Sequence, residues 1–135
     1  MKATHYKLTT PQDVDVTTLA DIERLVAALD PSNNAILILE NQNSDYIQCM
    51  AGDKGYVAEA RFQLGDGKFK HFRIGYQETS KVWEEVNGMA GPIRLLGHEI
   101  LKRHDVEKLF KFFFEKSEIE SGYNKRNITK IFTQG

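Results

Sequence analysis

Between Ala35 and Tyr76 the hydrophobic and polar positions read as consecutive β-strands joined by short polar turns. Ala35–Leu39 is apolar on both faces and predicts a central strand. Asn41-Gln42-Asn43-Ser44 is a turn, and Tyr46 to Ala51 forms the next strand. Gly52-Asp53-Lys54-Gly55 has the composition of a hairpin loop. Tyr56 to Leu64 alternates cleanly. Tyr56, Ala58, Ala60, Phe62 and Leu64 share one face, and Val57, Glu59, Arg61 and Gln63 share the other, the pattern of a half-buried antiparallel strand. Gly65-Asp66-Gly67 turns the chain. Lys68 to Ile74 returns with Phe72 and Ile74 on one side and Phe69, His71 and Arg73 on the other. Turns this short make sequential strands neighbours in a meander.

The flanks are helical or less regular. Residues 2–8 predict a first strand that Pro11 ends, with Ala3, His5 and Lys7 opposite Thr4, Tyr6 and Leu8. Thr18 and Asp21 have capping-box spacing, and Leu19, Ile22, Leu25, Val26 and Leu29 line one face of a helix stopped by Asp30-Pro31. Lys81–Asn87 reads better as a strand than as a short helix. Asn87 to Pro92 reads as a loop, and Ile93–Leu96 as a further strand. Asp105 is placed to cap a second helix with Val106, Leu109, Phe110, Phe113 and Phe114 inward. From Ser117 only isolated anchors remain: Ile119, Tyr123, Ile128, Ile131 and Phe132. The expected architecture is α+β, one domain over residues 1–135. It is a twisted antiparallel β-sheet meander of five to seven strands, with two main α-helices packed on one face. The other face carries Val57, Glu59, Arg61 and their neighbours.

Composition narrows the class. The chain has 135 residues, 41% of them hydrophobic and 27% charged, ordinary for a globular domain that completes its own core. Cys49 is the only cysteine, which excludes an internal disulfide and multi-cysteine metal sites. No apolar run approaches the length of a membrane span, and the start of the chain lacks a signal-peptide pattern, so a soluble cytoplasmic protein is expected. The net charge of −1 conceals an asymmetry. Residues 1–67 carry five basic and ten acidic side chains; residues 68–135 carry thirteen basic and nine acidic. Such a dipolar distribution can steer a charged partner.

Candidate chemistry is sparse. Cys49 alternates with Ile47 and Ala51 on a strand, the setting of a buried structural thiol. His98-Glu99 and His104 miss the spacing of a helical zinc site, and Gly97 interrupts the segment. Glu84 and Glu85 point to opposite faces of a strand. His71 lies among Lys68, Lys70 and Arg73 and reads as a surface strand residue. Trp83, Tyr46, Phe69 and Phe112 are candidate anchors for a protein partner, although a single tryptophan in a small domain reads more readily as core. Glu59 and Arg61 share a face two residues apart, as a surface ion pair worth less than about 1 kcal/mol. Basic residues interleave with Phe69 and Phe72, yet opposite parity puts at most one of these rings on the charged side. That, and the balanced net charge, argue against a dedicated nucleic-acid binder. No catalytic residue, cofactor site or metal site is assigned from these patterns.

The order of elements carries a resemblance. A helix ending Val26-Ala27-Ala28-Leu29-Asp30 precedes the strand Ile36–Glu40. Asp45-Tyr46-Ile47-Gln48, Gly55-Tyr56-Val57-Ala58-Glu59-Ala60-Arg61 and Lys70-His71-Phe72-Arg73 follow, then a Phe-rich helix and the tail Gly122-Tyr123-Asn124-Lys125-Arg126-Asn127-Ile128-Thr129. Over about residues 17–132 this resembles the small α+β immunity proteins of bacterial polymorphic toxin systems. The resemblance implies a non-enzymatic protein that binds one cognate toxin domain and neutralises it. It carries no residue-level binding motif, and the modest charge departs from the strongly acidic members that mask nucleases. The expected contacts, chosen from the exposed sheet face and strand ends, are Glu40, Asp45, Glu59 and Arg61. A small ligand-binding domain or enzyme with a pocket between sheet and helices is the alternative, and a weak nucleic-acid-binding module a third.

Overall fold

The structure, a computed structural model, describes residues 1–133. Seven strands form one antiparallel sheet: β1 (Lys2–Lys7), β2 (Thr10–Asp15), β3 (Ile36–Glu40), β4 (Tyr46–Ala51), β5 (Tyr56–Gly65), β6 (Lys68–Tyr76) and β9 (Tyr123–Asn127). Their spatial order is β2-β1-β3-β4-β5-β6-β9. Helices α1 (Leu19–Ala27) and α2 (Arg103–Lys116) cover one face. A separate hairpin, β7 (Trp83–Gly88) and β8 (Gly91–Leu96), completes the strands, and a short helix α3 (Thr129–Thr133) follows β9. The α+β class, the β3–β6 meander and the two-helix layer are as expected. No helix among the described residues is long and apolar enough to cross a membrane.

The helix face is a continuous apolar core. Paired positions in neighbouring strands share a side, so Ala3, Leu39, Ile47 and Ala60 align across the sheet, as do Leu37, Cys49, Ala58 and Ile74. Ile22 and Val26 from α1 and Val106, Leu109, Phe110 and Phe113 from α2 fill the space above them. The layer directly beneath α1 and α2 is thus packed with apolar side chains. Asp105 is the polar exception. It acts from the third position of α2, not the cap itself: its carboxylate accepts the Lys102 N–H at 3.0 Å. It also accepts the hydroxyls of Tyr76 and Tyr123, tying α2 to β6 and β9. Burial, with the hydrogen bond to Asp105, pushes the Tyr76 phenol up to about 12.

Three expectations are corrected. Pro11 does not end strand structure; the turn comes earlier, at Leu8, whose φ is 59°. Pro11 then pairs with Tyr6 inside β2. The missing N–H is tolerated because β2 is the edge strand. The tail is not a set of isolated anchors but a seventh strand, β9, paired with β6 from Phe72↔Asn127 to Tyr76↔Tyr123. Asn87 to Pro92 is not an open loop: it is the tip of the β7–β8 hairpin, with Asn87 opposite Pro92 and Gly88 opposite Gly91.

The hairpin lies on the sheet face opposite the helices. Val86 and Leu95 pack there against Met50 and Val57 as a small second core. Glycine permits the approach: a Cβ on Gly52 would stand 2.3 Å from Val86 Cγ1, and one on Gly75 2.8 Å from the His98 carbonyl oxygen. Val57 and Glu59 are therefore buried, and β5 is covered on both sides over its first half. Its alternation matched a one-sided strand because one short hairpin, remote in sequence, supplies the second layer.

The capping box of α1 is formed as the spacing required. The Asp21 N–H donates to Thr18 Oγ1 at 3.2 Å, and the Thr18 N–H donates to Asp21 Oδ2 at 3.0 Å. Backbone N–H groups of Thr17 and Thr18 hold the Asp21 carboxyl down at about 2. Thr18→Ala removes one half of this exchange and is expected to lower unfolding stability by about 1 kcal/mol, read from urea denaturation at pH 7. No change in the midpoint would mean that helix packing alone holds α1.

Candidate functional site

The sheet face beside the hairpin carries the molecule's main polar cluster, and strand register builds it. One cross-strand row runs Asp13, Thr4, Ile38, Gln48, Glu59, Arg73, Arg126. The adjacent row runs Asp15, Lys2, Glu40, Tyr46, Arg61, His71. The first row passes from Asp13 on β2 to Arg73 on β6 and Arg126 on β9, and the second from Asp15 on β2 and Glu40 on β3 to Arg61 on β5. The charge asymmetry between the two halves of the sequence thus becomes a gradient across one surface.

Glu59 sits where the rows meet, with 7% of its surface exposed. Its Oε2 accepts from Arg73 Nε at 3.1 Å and Nη2 at 2.8 Å, a forked pair. Its Oε1 lies 2.6 Å from His71 Nε2 and 3.3 Å from the Gln48 side-chain nitrogen. His71 Nδ1 accepts the Arg61 Nε–H at 3.0 Å. An imidazole that accepts at Nδ1 donates at Nε2, so these partners select the neutral tautomer protonated on Nε2. Burial pushes the Glu59 carboxyl up, but hydrogen bonds from His71 and Arg73 and the Arg73 charge outweigh it. The group is held below the ordinary carboxylate range.

These contacts correct two expectations. His71 is not a surface residue: none of its surface is exposed. The Phe132 ring stands 4.3 Å from its own, and α3 closes that end of the face. Glu59 and Arg61 do not form a surface ion pair. Along-strand neighbours on one face are farther apart than cross-strand partners, so Glu59 pairs across to Arg73 and Arg61 turns to His71. The Arg61 guanidinium then lies over Phe69 at 3.8 Å and Phe132 at 4.7 Å. Of the other expected contact residues, Glu40 pairs with Lys2 at 3.6 Å near the far side of the sheet. Asp45 accepts the Gln63 backbone N–H at 2.7 Å and serves the β4 turn. The four are not brought together: Glu59 and Arg61 share the cluster, while Glu40 and Asp45 flank it.

Arg73, Glu99, Arg126 and Arg94 belong to the site and were not singled out for it from the sequence; Trp83, a candidate interface anchor by residue type, belongs to it as well. Arg126 makes a forked pair with the fully buried Glu99, at 2.9 and 2.8 Å. Arg73 Nη1 donates to the Arg94 carbonyl at 3.0 Å, fastening the hairpin to the sheet. Trp83 is not core. It is 49% exposed, on the side of the hairpin away from Val86, with Arg94 4.6 Å and Arg126 5.5 Å from its ring. The signal for Arg73 was present in the alternation: it shares the polar side of β6 with His71, opposite the polar side of β5. Nothing local marked Arg126, and residue type alone marked Trp83 as an anchor without deciding it against the core.

His98 is buried, accepting the Ser80 N–H at 3.0 Å, and with Glu99 committed to Arg126 the His98-Glu99 pair serves structure. No group of three metal-ligating side chains occurs among the described residues. Cys49 is buried in the core and its thiol is pushed up by desolvation. Several hollows adjoin the sheet, two of them bordering β5. One of about 180 Å³ lies under the hairpin, lined by Gln48, Met50, Val57, Glu59 and Ile93 among others. The larger, about 590 Å³, opens at the far end of the helix face between β5, β6 and the segment after α2, with Phe62, Phe72 and Ile119 among its lining residues. No family model matches the chain, and no significant match occurs among curated proteins.

Two outcomes follow from this geometry. Glu59→Gln strands Arg73 in a buried site and is expected to cost about 3 kcal/mol at pH 7. Because the folded-state carboxyl titrates below its ordinary value, its stabilisation is present above pH 4.5 and fades as pH falls through the folded value. The gap between the native chain and the variant should shrink in urea denaturation at pH 3.5; an unchanged gap would show that the charge contributes nothing. Cys49 should resist a thiol-reactive dye in the native state and react once per chain in concentrated urea. Fast native labelling would place the thiol at the surface.

Proposed function

We propose that this chain is a non-enzymatic binding protein of the bacterial cytoplasm, an immunity-type inhibitor that binds and neutralises a cognate toxin domain. The observation that carries this reading is the state of the hairpin face. Its converging ionisable groups are spent on one another: Glu59 on Arg73 and His71, Glu99 on Arg126. What such a network supplies is a rigid pleated surface, with arginine and aromatic side chains at its rim. Those residue types dominate the energetics of protein interfaces. The order of elements across residues 17–132, similar to that of immunity proteins, points the same way. Glu40, Asp45, Glu59 and Arg61 are the contacts proposed from the sequence; Glu59, being buried, would act from beneath, by holding Arg73 and His71 in place.

The apolar filling between sheet and helices counts against a ligand pocket there. The larger groove mixes Phe62, Phe72 and Ile119 with Lys70, Glu118, Glu120 and Lys125 and is open to solvent, and it favours no particular reaction. The test is co-expression with the product of a neighbouring toxin gene. A stable complex that restores growth is expected. No complex and no rescue would remove this reading.

A further inference from the structure

Four arginines converge toward the β6–β9 end of the hairpin face, and only two of them have carboxylate partners. Arg73 is matched by Glu59 and Arg126 by Glu99. Arg61 and Arg94 form no ion pair among the described residues; each lies against aromatic rings instead. Arg61 and Arg73 are on adjacent strands and Arg126 on the next, so Arg61 to Arg126 spans two strand spacings across and two residues along, roughly 12 Å. Arg94 stands beyond, on the hairpin, beside Trp83. The result is a short stretch of positive charge flanked by exposed or half-exposed rings, with Glu85 opposite Arg94 in the hairpin register but not ion-paired with it among the described residues. A guanidinium on an aromatic face keeps its outward N–H groups available in a fixed plane.

We propose that this end of the face, Arg61, Arg94, Trp83 and Phe132, is the contact surface for an acidic segment of a protein partner. The inference rests on the reading that the partner is a protein, and adds its chemistry and its place of contact. Charge complementarity selects the occupant. The same surface already recognises carboxylates twice, in the forked Arg73–Glu59 and Arg126–Glu99 pairs, and an incoming Asp or Glu repeats that geometry at Arg61 or Arg94. An extended segment of three or four residues covers roughly 10–13 Å, enough to run from Arg61 to Arg126. A nucleic acid fits less well. Its backbone would have to continue along the face toward Asp13, Asp15 and Glu40, where the charge reverses.

Trp83, the only tryptophan, makes the patch its own reporter. The probe is an acetylated hexaglutamate peptide, titrated at about 0.01 M ionic strength, where charge acts over roughly 30 Å. Readouts are Trp83 emission and amide chemical-shift mapping. A single-stranded dodecathymidine and a Lys70→Glu/Lys125→Glu variant, altered on the opposite face, run alongside. Saturable binding is expected, with shifts confined to β6, β9, the hairpin and α3. Affinity should weaken by about tenfold in Arg94→Glu and change little in Lys70→Glu/Lys125→Glu. Because Arg94 is exposed and its carbonyl, not its side chain, holds the hairpin, Arg94→Glu should keep the native amide spectrum. No response at millimolar peptide, shifts centred on Lys70 and Lys125, or tighter binding of the oligonucleotide to the same patch would each overturn the proposal. A toxin complex indifferent to Arg94→Glu would sink this surface and leave the immunity reading standing. Peptide binding as expected, with no toxin rescued, would do the reverse.

Discussion

A carboxylate buried against an arginine and a histidine organises this protein's functional face. Glu59 lies in the middle of a seven-stranded sheet, where an unpaired charge would be prohibitively costly. Its forked bond to Arg73 removes that cost, and Arg73 then spends a remaining donor on the backbone of the β7–β8 hairpin. Through His71 the same carboxylate sets the tautomer that receives Arg61. One anion therefore joins β5 to β6, the sheet to the hairpin, and the interior to the arginine at the surface.

The second constraint is register. A direct continuation of the Gly65↔Lys68 pairing would set Glu59 opposite Ile74, polar against apolar. The ladder instead shifts between Gln63 and Gly65, so that Glu59 faces Arg73 and Arg61 faces His71. A one-residue bulge at Leu64 restores the match between the alternating faces of the two strands. The same bookkeeping of faces keeps Ala58 and Ala60 in the helix-side core, where their small side chains let α2 approach. Core and polar network are thus two consequences of one pairing.

The gradient of charge across the face has a topological origin. The acidic first half of the chain supplies β2, β1 and β3; the basic second half supplies β6 and β9. Because β9 returns from beyond α2 to the β6 edge, basic residues far apart in sequence become neighbours, Arg73 beside Arg126. Two buried glutamates balance part of that density, and the rest remains at the surface as a field that can draw in an oppositely charged partner.

Alternation and spacing within the chain were sufficient for the α+β class, the β3–β6 meander, the capping box of α1, the apolar face of α2 and the burial of Cys49. Each depends on neighbours within a turn of helix or across a short hairpin. The placement of Pro11 in an edge strand, the pairing of β9, the exposure of Trp83 and the burial of His71 and Glu59 could not be read that way. They depend on which segments come to lie over one another: a hairpin from residues 83–96 covering Val57 and Glu59, and α3 covering His71. Local pattern determines which side of a strand is polar. Whether that polar side meets water, or meets another layer that turns it into a buried charge network, is settled only when distant parts of the chain pack together.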